Sequence, residues 1–203
     1  EDGTSHRNNL LTKLAMKEND ETGYMSSSTS HIISAGLTPT EGAFKSAINY
    51  FKGEKDFKNT SISYTSPITD SCQKNFIIYV TDGLPSVNPS GSKDTAANLL
   101  PGVLAQIDSL RSLVKSLKVG STNTDYTFNI KTYVLGMGLT DVAKTQVDYM
   151  ASHGGTAVNG HAYYADDAAA LTNALNNIFS DIINRSFSFS TASVSSSRLA
   201  DEN

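Results

Sequence analysis

Residues 74–86, "KNFIIYVTDGLPS", decide how this chain reads. Five apolar or aromatic residues, Phe76 to Val80, run straight into Thr81, Asp82 and Gly83. A short unbroken run of this kind reads as a buried parallel strand. Ligands of open parallel α/β sheets bind just beyond the carboxyl ends of such strands. Asp82 therefore falls where a binding carboxylate is expected, with Gly83 permitting the turn away from the sheet. A competing reading is a capped strand end, in which Asp82 bonds its own loop backbone.

The segments on either side extend this pattern. "GLTPTEGAFKSAINYF" (36–51) predicts a helix with Thr38 as its cap, Pro39 in the first turn and Glu41 three residues after the cap. Ala43, Phe44, Ala47, Ile48 and Phe51 recur along it at helical spacing. "NNLLTKLAMK" (8–17) predicts an earlier amphipathic helix after a frayed start, followed by a polar loop to about Ser34. Residues 53–74 read as irregular, with a short extended piece at "SISYTS".

Downstream of the strand, 82–94 is a Gly-, Pro- and Ser-rich loop. Residues 95–117 then show helical periodicity that Pro101 and Gly102 interrupt or begin. "FNIKTYVLGMG" (128–138) predicts a second strand, 141–155 a short helix stopped by a glycine pair, and "HAYYA" (161–165) a third strand. Residues 167–184 predict a helix with Leu171, Leu175, Ile178, Phe179 and Ile182 inward. Asp166 and Asp167 read as charges favoured by that helix's amino end. Strand and helix alternate three times, which predicts βα units and a parallel sheet. The tail 186–197, "SFSFSTASVSSS", alternates with period two and reads as an extended linker.

Composition narrows the function. The chain has 203 residues, 38% hydrophobic and 18% charged, enough for one domain or one domain with an extension. A formal charge of −4 gives no broad basic footprint for nucleic acid. No apolar run approaches the roughly 18 residues of a membrane-spanning helix. The sequence begins at Glu1 without initiator Met or signal peptide, as expected of a mature product or a fragment. Its single cysteine, Cys72, excludes an internal disulfide and a cysteine zinc site. In a secreted protein it would pair outside this chain; otherwise it is a buried free thiol. His6, His31, His153 and His161 lack ligand spacing and read as surface or loop residues.

Enzyme signatures are missing. "NPSGSKDT" (88–95) departs from a phosphate loop, because Lys93 is neither directly preceded by Gly nor followed by Ser or Thr. No nucleophile elbow occurs, and no Gly-x-Gly-x-x-Gly follows a strand. The sequons at Asn59 and Asn184 are short patterns expected by chance.

Three pieces in order, "AGLTPTEGAF" (35–44), "NFIIYVTDG" (75–83) and "IKTYVLGMG" (130–138), resemble a von Willebrand factor A domain. "CQKNFIIYVTDGLP" (72–85) and the ending "YYADDAAALTNALNNIFSDIINRSFSFS" (163–190) resemble, more narrowly, the PilC/PilY family of type IV pilus tip proteins. The resemblance covers about residues 36–190. It implies an α/β fold with a doubly wound, mostly parallel, Rossmann-type sheet. It also implies a metal-ion-dependent adhesion site, in which Thr38 matches the Thr before a helix and Asp82 the Asp after the fourth strand. Mg²⁺, or Mn²⁺, would be the cofactor, held by oxygen ligands with a position free for a partner's carboxylate.

The family's Asp-x-Ser-x-Ser strand has no counterpart in residues 1–37. The chain therefore reads as a von Willebrand factor A-like domain over 1–185, lacking its first strands, with a linker over 186–203. The missing metal ligands would come from an amino-terminal segment of the same protein or from another chain, which would also fill the free edge of the strand at 75–81. The implied function is non-enzymatic: a secreted or cell-surface bacterial adhesin at a pilus tip, binding a host or surface ligand and supporting pilus biogenesis alongside pilus subunits. The alternative is a structural pilus-assembly component without a functional metal site. A metal-dependent hydrolase using Asp82 is a third and weaker reading, since no nucleophile, base or His ligand accompanies it.

Overall fold

β4 (Lys131–Met137) has five consecutive buried residues, Thr132 to Gly136, and every other part of the sheet is arranged around it. The computed structural model describes residues 3–14 and 37–186. The chain forms two units, residues 1–38 and 39–203. In the first, α1 (Gly3–Leu14) starts earlier than its apolar pattern suggests, and Leu10 and Leu11 are about half exposed. The predicted polar loop to Ser34 and the tail 187–203 lie outside the described residues.

The second unit begins with α2 (Thr40–Lys52), followed by an irregular stretch and β1 (Phe76–Thr81). α3 (Ala96–Arg111) leads into a hairpin of β2 (Leu113–Val119) and β3 (Thr122–Phe128), then β4. α4 (Asp141–Gly154), β5 (Tyr163–Ala165) and α5 (Ala168–Ser186) complete the described chain. β1, β4 and β5 form one parallel sheet in the order β1-β4-β5. Phe76 pairs with Lys131 and Thr81 with Gly136 on one edge of β4, and Leu135 with Tyr163 on the other. The fold is thus mixed α/β with a parallel sheet, as the alternation of elements predicts.

Side chains that alternate along β1 and β4 divide the core in two. Ile77, Tyr79 and Val134 pack with Phe44 of α2, Val103 and Ile107 of α3, and Val147 and Met150 of α4. Phe76, Ile78, Tyr133 and Leu135 pack with Ala174 and Ile178 of α5. The helices therefore cover both faces of the sheet. Burying Ile178 completely is worth about 1.5–3 kcal/mol relative to leaving it in water. Phe179, expected inward, is about half exposed, because Ala174 and Ile178 make up the contacting stripe.

Three other expectations need correction. β1, expected to be fully buried, is only half-buried, and Val80 is 47% exposed. It pairs only with β4 among the described residues, so β4 has the doubly flanked position. α3 runs through Pro101 and Gly102 because Val103, Ile107 and Leu110 bury completely, and packing overrides local propensity. Residues 113–117, predicted as helix, are strand β2. Gly120 and Ser121 form the two-residue loop of the hairpin, and the positive φ of Gly120 (62°) suits its first position.

Beyond apolar packing, close polar contacts also tie α4 to the sheet. A Cβ on Gly154 would run into the carbonyl oxygen of Thr132, so only glycine allows the helix end to close on β4. Asp148 accepts bonds from the Tyr164 hydroxyl and the Ala162 amide (2.7 Å), and its other oxygen lies 2.9 Å from His161. Burial raises the Asp148 pKa, but these hydrogen bonds outweigh it and hold the carboxyl below its ordinary range. Replacing Gly154 with Ala should lower stability by about 1–3 kcal/mol through overpacking, read as a reduced thermal midpoint.

The irregular stretch after α2 is clasped by Asp56, which accepts from Ser46 (2.6 Å) and Tyr64 (2.8 Å) and from the amides of Lys58 and Asn59. The Ser46 bond, followed by the others, holds its pKa well below the carboxylate range. A depressed folded-state pKa adds stability above the unfolded value, about 3.9, and that stability is lost as pH falls through the folded value. Asp56→Asn should therefore be less stable than the parent at neutral pH. The gap should shrink below about pH 4 in paired denaturation curves recorded against pH.

Candidate functional site

Tyr79 is the only hydroxyl-bearing residue inside the apolar run of β1, and a partly buried hydroxyl needs a partner. It lies 2.9 Å from Oγ1 of Thr40, the first residue of α2, which is itself buried. The Tyr79 ring also packs on Phe44, with centroids 5.3 Å apart. These contacts bring the amino end of α2 to the carboxyl end of β1. The cap of α2 is Pro39, whose carbonyl accepts from Ala43 (2.9 Å), and not Thr38 as expected, which lies one residue before it. Glu41 instead forms an ion pair with Lys45 at 3.1 Å.

At the end of β1 the competing reading of Asp82 can be settled. The turn is held by Thr81, not by Asp82. The buried Thr81 hydroxyl donates to the Gly83 carbonyl (2.6 Å) and accepts from the Gly83 amide (3.2 Å). Asp82 is exposed, and among the described residues its carboxylate has no hydrogen-bond or ion-pair partner. Thr38 is half-buried and ends the first unit, whereas Asp82 belongs to the second. What the second unit assembles here is Thr40, Tyr79, Thr81 and Asp82. Thr40 and Thr81 were legible only as neighbours of the motif residues; their signal was a hydroxyl placed next to an apolar run.

The loop after Asp82 is internally satisfied. Oδ1 of Asn88 accepts from the amides of Ser90 and Ser92, each at 3.0 Å, and from the Ser90 hydroxyl at 2.7 Å. The Ser90 and Ser92 amides in "NPSGSKDT" are therefore already taken. Asp94 accepts from the Asn98 side chain (2.8 Å) and the Thr95 amide (2.7 Å), which lower its pKa in that order. Thr95 caps α3 by accepting from the Asn98 amide.

Among the described residues, no group of three or more His, Cys, Asp and Glu side chains could hold a metal ion. One carboxylate with neighbouring hydroxyls does not make a divalent-metal centre, since Mg²⁺ demands near-octahedral oxygen coordination. The described residues alone thus do not fit the implied cofactor. The two described histidines whose side chains are placed serve the fold: His153 meets Asp108, and His161 meets Asp148, both at 2.9 Å. Cys72 is exposed and free, not the buried thiol.

Replacing Thr81 with Val keeps the shape but removes both bonds to Gly83. The expected cost is about 1 kcal/mol, with faster hydrogen exchange at the Gly83 amide and little change in the β4 amides.

Comparison of the chain with protein-family models, curated proteins and solved structures returned no match.

Proposed function

We propose that this chain is part of a non-enzymatic bacterial cell-surface adhesin of the type IV pilus tip, built on a doubly wound von Willebrand factor A-like domain. In this reading Asp82 contributes to a Mg²⁺ or Mn²⁺ adhesion site that binds a host or surface ligand. The remaining metal ligands come from a segment outside the described residues. The observation that carries the reading is the uncommitted carboxylate of Asp82 at the carboxyl end of a parallel strand, where Thr81 has taken over the structural work of the turn. Carboxylates that the fold does not use, at that edge of a parallel sheet, are placed for ligands.

The same reading accounts for the half-buried β1. Its apolar side chains point to both faces, yet only β4 pairs with it among the described residues. A strand from the amino-terminal part of the same protein, or from another chain, would satisfy that edge and bring metal ligands beside Asp82. The second reading is a structural pilus-assembly component with no functional metal site.

Calorimetry on the full-length protein and its Asp82→Ala variant separates the two. The adhesion reading expects Mg²⁺ affinity to fall at least about tenfold, ~1.4 kcal/mol, and surface adhesion to be abolished by chelation. Unchanged affinity in the variant, or adhesion and assembly insensitive to chelator, would overturn it in favour of the structural reading.

A further inference from the structure

The opposite end of the sheet carries a different chemistry. At the amino ends of β1 and β4 lies a cavity of about 360 Å³ lined by Lys74, Asn75, Phe76, Asn129, Lys131 and Arg185. Three of these six residues are cations and none is acidic, in a chain whose formal charge is −4. The register of the sheet explains the convergence. Phe76 pairs with Lys131, so Lys74 and Lys131 enter the same end of adjacent strands. α5 runs back along the sheet and delivers Arg185 from its last turn.

The neighbouring carboxylate is already committed. Oδ2 of Asp181 accepts from the Tyr133 hydroxyl and from Nε of Arg185, each at 2.6 Å. Among the described residues Lys131 approaches only the Gly155 carbonyl, at 3.5 Å, a weak contact. Burial, followed by the charges of Arg185 and Arg111, pushes the Lys131 pKa down; Asp181 opposes this and Lys74 adds to it. The cluster is thus short of negative charge. Oδ1 of Asn129 is taken by Nε of Arg111 (2.6 Å), which leaves the Asn129 amide as a donor at the cavity wall. The half-buried Phe76 ring supplies one apolar side.

We propose that this cavity is a binding site for a small oxyanion carrying two negative charges, of the phosphate or phosphomonoester class. Lys74 and Lys131 supply point charges and Arg185 a planar fork of donors, the groups that suit phosphate oxygens. A singly charged carboxylate would leave the cluster under-neutralised. The site is separate from Asp82: six residues of β-strand place them about 20 Å apart.

Titration of the full chain with inorganic phosphate, phenyl phosphate and acetate at low ionic strength tests this. Saturable binding of both phosphates is expected, at least about tenfold tighter than acetate, with amide shifts concentrated at Asn75, Phe76, Asn129 and Lys131. Lys74→Gln changes an exposed side chain and should weaken phosphate binding without moving the thermal midpoint; adding Lys131→Gln should abolish it. Asp82→Ala should bind phosphate as the parent does. Phenyl phosphate tighter than inorganic phosphate assigns the Phe76 wall to an organic ester, and equal affinities assign the site to the phosphate group alone. Acetate binding as tightly as phosphate, shifts spread over the surface, or undiminished binding in the double variant would overturn the proposal.

Discussion

The burial of β4 on both faces and both edges is the constraint on which the second unit depends. β1 and β5 pair with it, and α3, α4 and α5 pack against it. A strand so enclosed has no water for its backbone, so every neighbour must supply either hydrogen bonds or apolar cover. That requirement explains the closeness of α4, whose Gly154 touches the Thr132 carbonyl, and the bond from the Thr156 hydroxyl to the same oxygen at 2.6 Å. It also explains why Tyr133, fully buried, aims its hydroxyl at Asp181.

Parallel strands have two chemically different ends, and in this protein the two carry different side chains. At the carboxyl ends, backbone and hydroxyls settle the turn and leave the Asp82 carboxylate exposed. At the amino ends, Lys74, Lys131 and Arg185 gather around one committed carboxylate. The first arrangement suits a cation or a hydrogen-bond donor and the second an anion. Because β1 contributes to both ends, anything that shifts its register against β4 would disturb both. Its second edge is unpaired among the described residues, and Val80 is half exposed.

Much of the fold was legible in the sequence. The alternation of apolar runs with helical periodicity announced three βα units, and the glycine pair after "DYMASH" marked the end of α4, where Gly155 adopts a φ of 70°. Asp167 was recognisable at the start of α5, where it accepts from the Ala170 amide at 2.7 Å. The β2-β3 hairpin was also present in the sequence, as Gly-Ser between two alternating runs. It was obscured because Leu113, Val114 and Leu117 continue the helical spacing of α3 for one more turn.

Other features were decided only in three dimensions. The run Phe76 to Val80 is more apolar than Lys131 to Met137, yet the second is the buried strand, because burial depends on the number of neighbours and not on composition alone. Thr38 and Thr40 are equivalent as hydroxyls in the motif, and only the folded chain singles out Thr40 for Tyr79. Whether the Asp82 carboxylate was spent on the turn depended on whether Thr81 could hold it, a question of where one hydroxyl points. Lys74, Lys131 and Arg185 are scattered along the chain with no common motif. Local periodicity determines which elements form, since it requires only neighbours in sequence. Which strand is central, which hydroxyl is used and which charges meet depend on contacts between residues far apart in the chain, and those the tertiary structure alone decides.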